Sequence, residues 1–207
     1  MNKTFVTSDT HWGHANIIRF CNRPFKSVED MDAYMINKWN ETVGVDDTVF
    51  HLGDIAFLPG EKIVDILMSL NGKIKLVPGN HDKRFLKYKK KCDIDPSKFE
   101  VLDPLLEINL EGRQFTFCHF PLQEWNGSYA GGTVHLHGHT HSKLVSTSST
   151  DLRIDAKYTM MPNGEWYEGL PNMPNRYDIG VDMYGGPVQI THDLSFLKNP
   201  KGWHVTN

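Results

Sequence analysis

The sequence predicts an α/β protein built from two packed sheets with helices outside. Three observations carry that expectation: strands alternate with helical patterns over the first half, a hairpin and further strand-like runs fill the second half, and a length of 207 residues suits one core.

Thr4-Phe5-Val6-Thr7 reads as an opening strand, and residues 47–52 and 73–77 read as two more, each halted by Gly, Pro or Asp. Between the first two, Ser27 stands as an N-cap with Asp30 three residues on. Val28, Met31, Met35 and Trp39 then recur at the spacing of one helix face. Residues 60–70 repeat the pattern through Ile63, Ile66, Leu67 and Leu70. Such alternation favours largely parallel pairing. Residues 105–110 and 114–118 flank Glu111-Gly112 as a hairpin, and further strands are expected at 134–137, 177–181 and 187–190.

The chain reads as a single domain, 1–207, with a loop or hairpin insert at 143–176. Within the insert, the polar run 146–150 reads as a mobile loop, and 156–161 with 165–167 flank Pro162-Asn163-Gly164, a short-range hairpin signal. The insert carries Tyr158, Met160, Met161, Trp166 and Tyr167. It is expected to fold back over the site and offer aromatic faces to a flat leaving group. Packing against a second subunit, in a homodimer, is the rival use.

The balance of 22 Lys+Arg against 25 Asp+Glu leaves a net charge of -3, so nothing global marks the surface for nucleic acid or anionic lipid. Cys21, Cys92 and Cys118 are odd in number and widely spaced, which fits a reducing cytoplasm better than a disulfide framework. The opening residues lack a signal-type apolar stretch, and no run approaches the roughly 20 apolar residues that cross a bilayer, so no membrane partner is expected.

Histidine is the unusual residue, with eleven copies. Five short segments place metal-binding side chains beside strand ends: Asp9-Thr10-His11, Gly53-Asp54, Gly79-Asn80-His81-Asp82, His119, and Gly138-His139-Thr140-His141. Oxygen donors from Asp and Asn with imidazole nitrogens suit borderline divalent metals without any cysteine. Residues two apart in an extended segment share a face, so Asp9 with His11, and His139 with His141, can converge on one small volume.

In this order the segments resemble the signature of the calcineurin-like metallophosphoesterases, DxH, GDxx, GNH[DE], H and GHxH, and the resemblance spans residues 4–141 with no motif missing. It implies a four-layer α/β/β/α sandwich, and the closing segments look like those of small bacterial, archaeal and phage members without a cap domain. It also implies two divalent ions, Mn first with Fe, Ni, Co or Zn as substitutes. One would be held by Asp9, His11, Asp54 and His141, the other by Asp54, Asn80, His119 and His139. A hydroxide between the two metals would attack phosphorus in line.

His81 resembles the histidine that contacts the substrate and protonates or stabilises the leaving oxygen. Asp82 either orients that imidazole or caps the following helix. Asn80 belongs to the substrate-facing group as well as to the metal set. His14 is a candidate phosphate contact, and Arg84, in a basic run from Lys83 to Lys91, is placed to reach a substrate phosphate or carboxylate. Trp12 and Phe57 line the pocket or belong to ordinary core. His51, His135 and His137 are expected to be buried or to support ligands from behind, and His192 and His204 to lie on the surface.

The implied activity is hydrolysis of a small phosphate ester, a phosphodiester in preference to a monoester. A nuclease, with nucleic acid only as substrate, and a protein-binding scaffold like the retromer subunit of the superfamily are the alternatives. The net charge of -3 argues against the first and the retained His81 against the second.

Overall fold

The structure, a computed structural model, describes residues 2–130, 132–141, 159–160, 166–167, 175–194, 197 and 202–203. Along the chain run β1 (Thr4–Thr7), α1 (Ala15–Phe20), α2 (Val28–Thr42), β2 (Thr48–His51), α3 (Gly60–Ser69), β3 (Lys73–Leu76), α4 (Lys83–Lys89) and β4 (Phe99–Val101). The second half holds β5 (Leu105–Leu110), β6 (Arg113–Cys118), a 3-10 turn at Ser128–Ala130, β7 (Thr133–His137), β8 (Thr159–Met160), β9 (Trp166–Tyr167), β10 (Arg176–Asp178), α5 (Val181–Tyr184) and β11 (Val188–Gln189).

Two mixed sheets result. In the first, ordered β11-β1-β2-β3-β4, strands β1 to β4 are parallel and β11 lies antiparallel to β1. In the second, ordered β10-β7-β6-β5, β6, β7 and β10 are parallel and β5 is antiparallel.

Strand alternation divides the apolar residues between two cores. Phe5 and Val49 pack with Met31, Met35 and Trp39 of α2 and with Ile63 and Leu67 of α3. Their neighbours Val6 and Phe50 point the other way, against Phe115, Phe117, Val134 and Leu136 of the second sheet. The first sheet is therefore buried on both faces, as parallel sheets usually are. Helix α2 begins as its sequence predicts, with the Ser27 hydroxyl accepting the Asp30 N–H at 3.1 Å. On the other face of the second sheet, His135 is buried; its Nδ1–H donates to the Thr116 carbonyl at 2.9 Å and its Nε2 accepts the Leu122 N–H at 3.0 Å.

The hairpin expected at 105–118 forms in full, turning at Glu111 and Gly112. Of the closing strands one is shorter than expected and the other forms where expected. The strand expected over 177–181 ends at Asp178, because the chain enters α5 at Val181, and the segment expected at 187–190 returns to the first sheet beside β1. β8 and β9 pair antiparallel, Thr159 with Tyr167 and Met160 with Trp166, in register with the predicted hairpin. The polar run 146–150, the placement of the insert's aromatic side chains and His204 lie outside the described residues. Cys21, Cys92 and Cys118 are free, and no helix among the described residues is long and apolar enough to cross a membrane.

Replacing Ser27 with Ala should cost about 1 kcal/mol, since the Asp30 N–H loses its partner within the first turn of the helix that covers the first core. Urea denaturation would measure it; a loss of under a few tenths would mean that water replaces the cap freely.

Candidate active site

The carboxyl ends of parallel strands from both sheets meet at one place. Asp9 and His11 follow β1, Asp54 follows β2, Asn80 and His81 follow β3, His119 follows β6, and His139 and His141 follow β7. Backbone bonds lock these exits together: Asp9 N–H to the Gly53 carbonyl at 3.0 Å, His11 N–H to the Asp54 carbonyl at 3.1 Å, and Gly138 N–H to the His119 carbonyl at 3.0 Å.

The turns are tight. Asp9, His11, Asp54, His139 and His141 all adopt left-handed backbone, with φ of 56°, 52°, 58°, 69° and 48°. Each such residue costs on the order of 1–3 kcal/mol unless its surroundings over-determine it, and such strain concentrates at functional sites. Two glycines provide space rather than flexibility. A Cβ at Gly79 would collide with the Asp54 carboxylate, and one at Gly138 with the Asp9 carboxylate and the Ser8 hydroxyl. Glycines precede Asn80 and His139 because carboxylates occupy the volume where side chains would stand.

The resulting donors face one another. Asp54 Oδ2 lies 3.7 Å from His11 Nε2, 3.4 Å from His119 Nε2 and 4.0 Å from His81 Nε2. Asp9 Oδ1 lies 3.8 Å from both His11 Nε2 and His141 Nε2. His119 donates Nδ1–H to the Leu52 carbonyl at 2.7 Å, which directs its Nε2 toward Asn80 Oδ1, 3.0 Å away. Three groups emerge whose donor atoms all lie within 4.8 Å of one another: Asp9, His11 and His141; Asp54, His119 and His139; and Cys21, His141 and Asp182. The first two hold residues from each of the sets that the resemblance implies, although Asp54 falls in the second group alone and Asn80 in neither.

The chemistry of this donor set fits divalent cations. Both ring nitrogens of His11 are buried without a hydrogen-bond partner among the described residues, a costly condition that an ion on Nε2 would relieve. Burial pulls the His11 pKa down, against Asp9. Burial pushes Asp9 and Asp54 up, but the surrounding imidazoles outweigh it and hold both carboxyls below their ordinary range. Both are thus anionic and ready to take cations.

His141 is fixed by residues with no motif in the sequence. Burial opposes its protonation, yet the Asp182 carboxylate, accepting from Nδ1 at 2.8 Å, together with Cys21 and Asp9 pushes the pKa up to about 11. Asp182 is held in turn by Arg23 through bonds of 2.8 and 3.0 Å, and the same guanidinium donates to the Thr10 and Asp9 carbonyls at 2.9 and 2.8 Å.

Asp82 requires a correction. Its carboxylate accepts the N–H groups of Asp54, Ile55 and Gly79 at 2.9, 2.9 and 2.7 Å, and among the described residues it makes no bond to His81. It clasps the loops that carry Asp54 and Asn80, and it does not cap α4 with its side chain either. His14 packs on Phe57, with ring centroids 4.1 Å apart and planes 18° apart, and burial then His11 lower its pKa to about 4. Trp12 is fully buried core, whereas Phe57 remains 41% exposed beside His11 and His81. Arg84 borders a cavity that His81 also lines. His51 and His137 are buried, and His192 is exposed.

A family model described as the calcineurin-like phosphoesterase superfamily domain matches residues 3–156. An uncharacterized protein of Methanocaldococcus jannaschii is 36% identical over 143 residues, covering 68% of this chain and 72% of its own. The Gene 66 protein of Mycobacterium phage D29 is 29% identical over 191 residues, covering 80% and 94%. A protein of unknown function from Aquifex aeolicus has the same fold: its crystal structure superposes with a TM-score of 0.61 over 91% of this chain and 96% of that one, at 20% identity.

Asp182→Ala should destabilise the metal-free protein by about 3–5 kcal/mol, because it strands the fully buried Arg23 guanidinium without its counter-charge. The double change Arg23→Met with Asp182→Leu should cost clearly less than Asp182→Ala alone. Urea titration of the two variants would decide; equal losses would mean that packing, not charge, sets the cost.

Proposed function

The chain belongs to the calcineurin-like phosphoesterase superfamily, and from that premise we propose that it hydrolyses a phosphate ester with the help of two divalent metal ions. The observation that carries the reading is the pair of donor groups within 4.8 Å, with His11 Nε2, which has no hydrogen-bond partner among the described residues, between the Asp9 and Asp54 carboxylates. Asp9, His11, Asp54 and His141 would hold one ion, and Asp54, Asn80, His119 and His139 the other. When bound, such ions activate a water as nucleophile and neutralise the phosphoryl oxygens. Mn is the first choice, with Fe, Ni, Co or Zn compatible with the same donors.

The chain's own residues do the rest. Asp54 accepts the His81 backbone N–H at 2.9 Å, which ties the position of His81 to that of the shared ligand. The His81 imidazole, half exposed and 4.0 Å from Asp54, stands where a leaving oxygen can take its proton as the phosphorus–oxygen bond breaks. A diester is favoured over a monoester, because the groups facing the cluster are imidazoles and carboxylates rather than a guanidinium clamp for a dianion among the described residues. The net charge of -3 disfavours a nuclease, and His81 beside a full donor set disfavours a purely binding role.

Purified protein should carry close to two divalent ions per chain by elemental analysis, lose turnover on chelation and regain it with Mn. Asp54→Asn should be inactive; activity that survives thorough chelation would refute the proposal. His81→Ala should keep its metal content and slow turnover by about 10² to 10⁴-fold, less for esters of acidic phenols. Equal losses across leaving groups would remove the proton-donor role.

A further inference from the structure

A cavity of about 240 Å³ opens beside the cluster, lined by Phe57, Leu58, Ile63, Phe85, His81 and Arg84. It falls below the roughly 300–1,000 Å³ of pockets that enclose whole small molecules, so it suits one ring-sized portion of a ligand. Resting on the phosphoesterase reading, we propose that this cavity receives the leaving portion of the substrate and selects a planar ring that bears an anionic substituent.

The geometry of His81 connects cavity and chemistry. Its Nε2 is 4.0 Å from Asp54 Oδ2, and the residue also lines the cavity. An ester with phosphorus at the cluster and its bridging oxygen at His81 sends the departing alcohol into that space. Apart from His81 and Arg84 the lining side chains are apolar, and Phe57 among them offers a flat group a face to stack on. Phe57 offers a prepared surface. Its ring is held against His14 at 4.1 Å and His81 at 4.8 Å, yet 41% of the residue is open to solvent. An aromatic ligand would meet a ring already fixed in orientation, with little side-chain entropy to lose.

Arg84 supplies the second requirement. It is exposed on α4, and among the described residues it forms no ion pair. A guanidinium beside an apolar cavity binds a carboxylate or phosphate bidentately, and more strongly than at an open surface because the cavity excludes part of the water. Lys83 and Lys87 on the same helix, also exposed and without ion pairs among the described residues, add positive field at that side although the whole chain is acidic.

The test uses two methyl aryl phosphodiesters, phenyl and 3-carboxyphenyl, with the Mn-loaded protein. The carboxylate ester should show a kcat/KM higher by about 10-fold or more, as expected for a charge-assisted bidentate contact. Arg84→Ala should lower kcat/KM for the carboxylate ester at least about 10-fold more than for the phenyl ester, with Arg84→Lys between. Phe57→Ala should raise KM for both. In parallel, 3-hydroxybenzoate titrated into metal-free protein should shift amide resonances of α4, more weakly in Arg84→Ala, and phenol should bind less well than 3-hydroxybenzoate. No preference in the wild type, or one that persists in Arg84→Ala, overturns the proposal. If neither ester turns over, the phosphoesterase reading fails, and the 3-hydroxybenzoate titration still decides the cavity.

Discussion

The Asp54 carboxylate is the joint on which the site depends. Oδ1 accepts the His81 N–H, Oδ2 stands among the imidazoles of His11, His119 and His81, and the whole group fills space that Gly79 leaves vacant. The Asp54 backbone is equally committed, its N–H to Asp82 and its carbonyl to His11. One residue thereby registers the exits of β1, β2 and β3 against β6 of the other sheet. Burying a carboxylate in this way is unfavourable in isolation, and it is tolerated because hydrogen bonds and facing imidazoles compensate. Preparation of the site for cations and stability of the fold are consequences of the same bonds.

The two cores explain why those exits coincide. Alternating residues of β1 and β2 serve the helix layer and the second sheet, so the first sheet has no free face on which to slide or twist. With both sheets pinned by their apolar sides, parallel strands deliver their carboxyl ends to a common edge, where open α/β sheets place ligands. Five residues with left-handed backbone, Asp9, His11, Asp54, His139 and His141, stand at that edge.

Much of this is legible in the sequence, for physical reasons that differ by residue. Ser27 and the Met31, Met35 and Trp39 stripe declare α2 because capping and helical period are local. The motif segments are legible because each is a few residues long and two of their glycines, Gly79 and Gly138, answer a steric demand made by a carboxylate. Helix α1 gives no such signal: it has six residues and no side-chain cap. Arg23 and Asp182 are illegible for a different reason, since a pair separated by 159 positions leaves no pattern in either neighbourhood. Asp82 misleads because adjacency in sequence is not adjacency of side chains. At the exit from β3 the carboxylate turns inward to three backbone N–H groups while His81 turns outward.

The Arg23 guanidinium joins the first loop to the last described helix, so its geometry has a bearing on how the chain is made. During synthesis from the N-terminus, β1 to β4 with α2 and α3 can bury their apolar residues long before residue 182 leaves the ribosome. Over that interval Arg23 lacks its counter-ion and His141 its anchor. The scaffold is therefore assembled early from local contacts, whereas the reactive centre waits for a closure of high contact order. A nascent chain would thus hold β1 to β4 paired while the candidate site still lacked the Asp182 carboxylate that anchors His141.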